Sequence, residues 1–160
     1  MKEMESLVNE CLKQHEGGEK FFDAIDEKLR NDSTLITMMI GKILSNEQFD
    51  FIITSGKFGN FFKSYCRKHM NKEFYESIIV VNGSLRKEGI FVEFEKEYNF
   101  IDKRLIFIDD SYYLGRTRNK IKTAIEMQNG QLISTYVFYD GSKIKDDHVH
   151  SFYRYYDNYE

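Results

Sequence analysis

The chain has 160 residues and a mass of 19.1 kDa, which predicts one compact domain. Apolar residues make up 41% of it and charged residues 31%, enough to build a core and to keep the surface hydrated. No stretch approaches the roughly 18 apolar residues of a membrane span, and the charged start does not resemble a secretory signal. Cys11 and Cys66 have no metal-ligand spacing. These observations exclude transmembrane, disulfide-scaffold, collagen-like and zinc-finger classes, and favour a reducing, cytoplasmic setting.

The net charge of −3 argues against a general nucleic-acid binder. The positive charge is nevertheless concentrated in two stretches. Ser55–Lys87 has seven basic residues against two glutamates, and Lys103–Lys122 has six against two aspartates. Such clusters can hold a small, highly anionic ligand, although solvated helix faces remain the alternative.

The first 45 residues predict helices. Apolar residues recur at helical spacing in three stripes, at residues 4–12, 21–29 and 35–44. Gly17-Gly18 separates the first two, and Asp32 or Ser33 can cap the third helix.

Beyond residue 46, β-rich runs alternate with helical patterns. The runs lie at residues 51–54, 77–81, 105–108 and 132–139, and helical patterns lie at 61–69 and 117–128. Continuous apolar strands separated by helices indicate a parallel sheet covered on both faces. We therefore expect a single doubly wound α/β domain with a helical part (1–45), a core (46–140) and a tail (141–160).

The segment after the third strand has the most chemical content. Asp109 and Asp110 end that strand, and Gly115 and Thr117 stand where the next helix begins. The free N–H groups of a first helical turn, the helix dipole and a hydroxyl would bind a phosphate. The carboxylates would accept hydrogen bonds from vicinal hydroxyls. The segment predicts a sugar-phosphate site; alternatively, the acidic pair only ends the strand and Gly115 only makes a turn.

This segment, IDDSYYLGRT at residues 108–117, resembles the fingerprint of the type I phosphoribosyltransferases, and its Gly-Arg-Thr ending is similar to the family's pyrimidine-operon regulators. Leu114 departs from the pattern, since the family usually has Thr, Ser or Ala there. The resemblance implies a 5′-phosphate loop formed by Ser111, Tyr112, Tyr113, Leu114, Gly115, Arg116 and Thr117.

Two other loops occur in the family's order, so the resemblance covers roughly Asp50–Tyr139. After the first strand, the resemblance implies a pyrophosphate loop formed by Ser55, Gly56, Lys57, Phe58 and Gly59. After the second, Arg86 and Lys87 resemble the Arg-Lys pair that grips the diphosphate in orotate- and adenine-type members. Residues 90–102 correspond to the family's mobile hood loop, for which the β-like start predicts a ribbon rather than a long lid.

The resemblance implies binding of 5-phosphoribosyl-1-diphosphate with Mg²⁺ and transfer of the phosphoribosyl group to or from a nitrogenous base, with pyrophosphate released. Asp109, Asp110, Arg86 and Lys87 are the implied catalytic residues. The metal is expected through the ligand, with the two aspartates as its candidate protein contacts.

Three points stay open. A non-catalytic regulator that binds a nucleotide or phosphoribosyl diphosphate on the same fold is the alternative to an enzyme, and a receiver-like phosphoacceptor is disfavoured because its acidic pair lies near the chain start. The acceptor pocket would use either terminus, through Phe21 and Phe22 or through tail residues such as Tyr153. A homodimer is also left open.

Overall fold

The computed structural model describes residues 1–15, 17–86 and 89–158, with the backbone alone for 82–86 and 89–93. Within that part of the chain the helices are α1 (Lys2–Gln14), α2 (Gly18–Arg30), α3 (Ser33–Asn46), α4 (Gly56–His69), α5 (Lys72–Glu76), α6 (Arg116–Glu126) and α7 (Tyr155–Asn158). The strands are β1 (Phe51–Ser55), β2 (Ile78–Arg86), β3 (Gly89–Glu93), β4 (Arg104–Tyr112), β5 (Gln131–Asp140) and β6 (Val149–Arg154). No described helix is long and apolar enough to cross a membrane.

The three predicted amino-terminal helices are confirmed, and each buries its apolar stripe. The buried side chains include Met4 and Cys11 on α1 and Phe21 and Leu29 on α2. In α3 the Asp32 carboxylate accepts a hydrogen bond of 3.1 Å from the Leu35 amide. This bond satisfies a first-turn N–H group, so α3 starts where the capping signal predicts.

The strand order of the sheet is β3-β2-β1-β4-β5-β6. β1 pairs in parallel with both β2 and β4, whereas β3 pairs antiparallel with β2. The chain passes from β1 to β2 on one side and later from β4 to β5 on the other, so the winding direction reverses between β1 and β4. The prediction of an α/β fold with a mainly parallel sheet is confirmed, and a reversal point of this kind is where open α/β sheets bind ligands.

Several strand limits differ from those predicted. β2 continues past Val81 to Arg86 because β3 pairs with its outer half, from Asn82–Glu93 to Arg86–Gly89. This antiparallel pair is the ribbon expected in the hood region. β4 likewise continues through the acidic pair to Tyr112, so the aspartates lie within the strand's outer half and do not end it.

The region expected as a tail also contains regular structure. β6 (Val149–Arg154) takes its place beside β5 in the strand order, and the short helix α7 follows it. Val149 and Tyr153 are buried, so this segment belongs to the packed structure rather than to a loose extension.

Contacts divide the chain into two units. Unit one comprises residues 1–47, 110–113 and 136–160, and unit two comprises 48–109 and 114–135. In unit two, Ile53, Leu105 and Phe107 face Ile121 and Ile125 of α6 in one apolar cluster. Side chains alternate along a strand, which places Ile52 and Thr54 on the opposite face, where Gly59 of α4 meets Thr54. Within unit two, the sheet is therefore covered on both faces.

Candidate functional site

Two helices of unit two begin directly beyond neighbouring parallel strands. α4 starts at Gly56, immediately after β1, and α6 starts at Arg116, with three residues between it and the end of β4. Neither helix has a side-chain hydrogen bond at its N-cap, which is Ser55 for α4 and Gly115 for α6. Neither has an acidic residue in its first turn. No side chain therefore compensates the positive end of either helix dipole, which favours an anion at both places.

The other described helices differ from α4 and α6 in this respect. α3 and α5 are capped by the side chains of Asp32 and Asn71. α1, α2 and α7 each have a carboxylate in the first turn, as Glu19 illustrates in α2. Those side chains compensate the helix start, whereas no side chain does so in α4 and α6.

The predicted pyrophosphate loop forms the first turn of α4 rather than a free loop. Gly56 has the left-handed backbone (φ 68°) that favours glycine, and Lys57 is exposed. The Phe58 ring is buried and stacks on Phe62 with centroids 6.0 Å apart. The Phe58 ring therefore belongs to the packed structure, and Lys57 supplies the exposed cation.

The predicted 5′-phosphate loop leads into α6 through a left-handed residue. Gly115 has φ 72° and ψ 15° and is buried, while Arg116 is exposed and Thr117 is half-buried. The Leu114 side chain is 60% exposed, so it is not needed for the core. Leu114 has no hydroxyl, so only backbone donors are present at this position of the loop.

Asp109 and Asp110 are both half-buried in the outer part of β4. The Asp110 carboxylate accepts a hydrogen bond of 2.8 Å from the Ser111 amide and a longer one of 3.4 Å from its hydroxyl. Farther along, the Tyr112 carbonyl accepts a bond of 2.8 Å from the Gly141 amide. The Asp110 side chain is thus held by the residue that follows it, and β4 is bonded to Gly141 two residues farther along.

The first residue of the predicted basic pair lies at the end of β2. Arg86 is the last residue of β2, five residues beyond Val81, which is paired with Ser55 of β1. Five residues of strand span about 16 Å, so the Arg86 backbone lies well past the end of β1. The Arg86 side chain and all of Lys87 lie outside the described structure, and their diphosphate role remains a prediction.

An aromatic cluster in unit one includes a residue that the sequence analysis assigned only to the phosphate loop. The Tyr113 ring is 48% exposed and lies 6.0 Å from the ring of Phe22, which lies 6.1 Å from Tyr139. A Cβ on Gly141 would be 3.0 Å from Tyr139 and 3.4 Å from Tyr113, so the glycine gives both rings room. Burial, first of all, raises the pKa of Tyr139, which keeps its hydroxyl neutral.

The tail aromatics pack against β5. The Tyr153 ring stacks on Tyr139 at 6.0 Å, and the Phe152 ring meets Phe138 edge-on at 5.5 Å. These contacts occupy the two rings within unit one, whereas the Tyr113 ring is 48% exposed.

The residues fit a metal that arrives with its ligand. Among the described residues, no group of three or more His, Cys, Asp or Glu side chains is placed to hold a metal ion. Mg²⁺ commonly binds through one or two carboxylates, several waters and substrate phosphates. Asp109 and Asp110, together with a diphosphate, match that type of donor set.

Comparisons with solved structures agree with this architecture. The chain is similar to a purine phosphoribosyltransferase from Pyrococcus horikoshii OT3, with 17% identity, a TM-score of 0.58, and 74% of this chain and 79% of the other covered. It is also similar to an adenine phosphoribosyltransferase from Thermoanaerobacter pseudethanolicus, with 16% identity, a TM-score of 0.60, and 83% and 86% covered. A hypoxanthine-guanine phosphoribosyltransferase from Bacillus anthracis follows at 14% identity, a TM-score of 0.54, and 81% and 80% covered.

No family model matches the sequence, and no curated protein matches it either. At identities of 14–17%, the structural likeness shows the fold. The chain has the type I phosphoribosyltransferase fold, as the resemblance of its three loops implies.

Proposed function

We propose that this protein binds 5-phosphoribosyl-1-diphosphate and transfers the phosphoribosyl group to or from a nitrogenous base, with pyrophosphate released. The observation that carries the proposal is the pair of uncapped, carboxylate-free helix starts of α4 and α6 beyond neighbouring strands β1 and β4. A ligand with an anion at each end and a diol between them matches two helix starts and the intervening Asp109. The similar solved structures are phosphoribosyltransferases, which supports the same class here.

In the proposed complex each end of the ligand has its own helix. The 5′-phosphate accepts hydrogen bonds from the first turn of α6, and the diphosphate accepts them from the first turn of α4, beside Lys57. Asp109 and Asp110 accept hydrogen bonds from the ribose hydroxyls. Asp109 and Asp110 are the residues that would contact Mg²⁺ bound with the diphosphate, and the metal would supply charge neutralisation of the leaving group.

The reaction is a displacement at the anomeric carbon through an oxocarbenium-like transition state. The bond from this carbon to the diphosphate oxygen breaks and its electron pair leaves with pyrophosphate, while a base nitrogen forms the new bond and releases its proton to solvent. Positive charge beside the leaving oxygen stabilises this transition state more than the ground state. The α4 start and Lys57 supply that charge, together with the Arg86 and Lys87 cations that the sequence predicts.

The acceptor is a planar base in this proposal. The half-exposed Tyr113 ring stands two residues before Gly115 in the chain and is supported by Phe22. Aromatic rings held in this way offer a face for stacking on a flat heterocycle.

A second candidate function is a non-catalytic sensor of the same ligand. Leu114 favours it, because an exposed apolar side chain replaces a hydroxyl that would hold the phosphate. A sensor binds phosphoribosyl diphosphate and releases no pyrophosphate with any base.

The test is the melting temperature with phosphoribosyl diphosphate and Mg²⁺, followed by a pyrophosphate-release screen over purine and pyrimidine bases. A ligand that binds only the native state must raise the melting temperature. At a free ligand concentration of a hundred times Kd, it adds about 2.7 kcal/mol to the free energy of unfolding. The double variant Asp109→Asn with Asp110→Asn should lose most of this shift, whereas Asp147→Asn, at an exposed aspartate, should keep it. No shift with the wild-type protein would refute the proposal, and a shift without pyrophosphate release would select the sensor.

A further inference from the structure

Thr54 is a buried polar residue for which the proposed chemistry has no direct use. It is the fourth residue of β1, it is completely buried, and its hydroxyl donates a hydrogen bond of 2.9 Å to the carbonyl of Ile108 in β4. The peptide unit of that carbonyl includes the amide of Asp109. A buried hydroxyl in the sheet thus fixes the backbone directly before the acidic pair.

This bond lies at the outer limit of the pairing between β1 and β4. The backbone register of the two strands runs from Phe51–Leu105 to Ile53–Phe107. One residue farther along, the side chain of Thr54 reaches Ile108 across the strands. A side chain therefore holds the two strands together just beyond their backbone pairing, two residues before α4 begins and directly before the acidic pair of β4.

The same threonine contacts the first binding helix. A Cβ placed on Gly59 of α4 would lie 3.0 Å from Thr54 Oγ1, 3.1 Å from its Cγ2 and 3.2 Å from its backbone carbonyl carbon. Only a glycine lets α4 approach the end of β1 this closely without a shift. Thr54 therefore touches α4 on one side and bonds to β4 on the other.

We propose that Thr54 is a positioning residue that sets the distance between the diphosphate-binding start of α4 and the acidic end of β4. This inference rests on the proposed function, because the distance matters only to a ligand that contacts both places. Such a ligand binds with less ordering cost when the two places are already at the right separation. The affinity of a ligand that contacts only one of the two places does not depend on their separation.

The experiment compares three ligands on four proteins. Phosphoribosyl diphosphate contacts both places, pyrophosphate contacts only α4, and ribose 5-phosphate contacts only β4 and α6. The proteins are the wild type, Thr54→Val, which keeps the shape and loses the hydroxyl, Thr54→Ser, which keeps the hydroxyl, and Thr135→Val. Thr135 is the matched control because it is also buried, 1% exposed, and its hydroxyl has no hydrogen-bond partner in the described structure.

In Thr54→Val, Kd for phosphoribosyl diphosphate should rise about fivefold, as expected for the loss of one hydrogen bond of about 1 kcal/mol. Kd for pyrophosphate and for ribose 5-phosphate should change less than twofold. Thr54→Ser should restore the affinity for the long ligand, and Thr135→Val should leave all three Kd values unchanged. Amide hydrogen exchange of the ligand-free Thr54→Val protein should increase at residues 55–60 and 108–112, and it should not do so in Thr135→Val.

The outcomes separate the two proposals. A wild type that binds none of the ligands refutes the proposed function and the positioning role together. A wild type that binds phosphoribosyl diphosphate, with Thr54→Val equally tight or with all three ligands weakened alike, overturns the positioning role alone. Unchanged hydrogen exchange in Thr54→Val overturns it as well.

Discussion

At the scale of single residues, Leu114 is the clearest departure from the pattern that the rest of its loop follows. It lies beside the left-handed Gly115 at the start of α6, and its side chain is 60% exposed. Leu114→Thr would therefore add a hydroxyl next to the first-turn N–H groups at little cost to folding. We expect Kd for ribose 5-phosphate to fall about threefold to tenfold, as expected for one added hydrogen bond of about 0.7–1.4 kcal/mol.

Leu114→Val is the control for this substitution, because it has the same branched shape without the hydroxyl. Titration calorimetry of both variants gives the comparison. Equal affinities for Leu114→Thr and Leu114→Val would show that the phosphate does not lie beside this position.

The sequence identifies the residues of the site whose roles depend on their neighbours along the chain. Asp109, Gly115 and Thr117 form a local pattern, since a strand end and a helix start occur within nine residues. Thr54 could not be found this way, because its partner Ile108 is 54 positions away and a lone threonine in an apolar run has no distinctive spacing. The ring of Tyr113 was missed for the same reason, since Phe22 and Gly141 are distant in sequence.

At the scale of elements, the contact between α4 and β1 depends on Gly59. Gly59→Ala would place a methyl group 3.2 Å from the backbone carbonyl carbon of Thr54, so α4 must shift. We expect the free energy of unfolding to fall by about 1–3 kcal/mol, the usual cost of overpacking. Urea denaturation measures it.

Gly41→Ala in α3 is the matched control. A Cβ there meets nothing within 4 Å, so the substitution only improves helix propensity and should stabilise the protein by about 0.5–1 kcal/mol. The change in the free energy of unfolding is therefore expected to have opposite signs in Gly59→Ala and Gly41→Ala. A stabilising Gly59→Ala would mean that α4 does not lie this close to β1.

The existence of most elements follows from the sequence, but their limits do not. The helical stripes and the apolar strands are set by periodicity, which is local. The outer half of β2 and the strand β3 exist because they pair with each other. Gly83 predicts a turn from the sequence alone, whereas in the structure it lies within β2 and pairs with Val92. The ribbon was expected from the β-like run after Gly89, whereas its pairing register required the structure.

At the scale of the whole molecule, folding stability should depend on pH through His150. Its ring stacks on the buried Tyr136 at 4.8 Å. Burial, and then the charges of Lys42 and His148, lower the pKa of His150, with Glu47 acting in the opposite direction. The unfolded chain therefore binds a proton at higher pH than the folded chain does. The contribution of neutral His150 to the free energy of unfolding is fully present above the ordinary histidine pKa of about 6.5, and it decreases as the pH falls below that value.

The measurement is the urea midpoint of unfolding between pH 7.5 and 5, for the wild type and for His150→Gln and His148→Gln. The slope of stability with pH should be smaller in His150→Gln than in the wild type. His148 is exposed, so its variant should retain the wild-type slope. Identical slopes in wild type and His150→Gln would contradict the assignment.

The overall class was predictable because it depends on the order of elements along the chain. Strands that alternate with helices indicate the α/β fold, and three strand-end loops in a fixed order indicate the phosphoribosyltransferase type. The edge strand β6 was not foreseen, since its sequence VHSFYR mixes polar and aromatic residues and becomes a strand through its place beside β5.

The bare starts of α4 and α6 have a consequence for attempts to make this protein more robust. A side-chain cap typically adds about 1 kcal/mol to a helix, and Gly115 has the left-handed backbone that asparagine also tolerates. Selection for heat resistance alone would therefore favour substitutions that fill these two helix ends. Each such substitution would place a side chain where the ligand's anionic group is proposed to bind. Thermostable variants of the protein should therefore be tested for loss of ligand affinity.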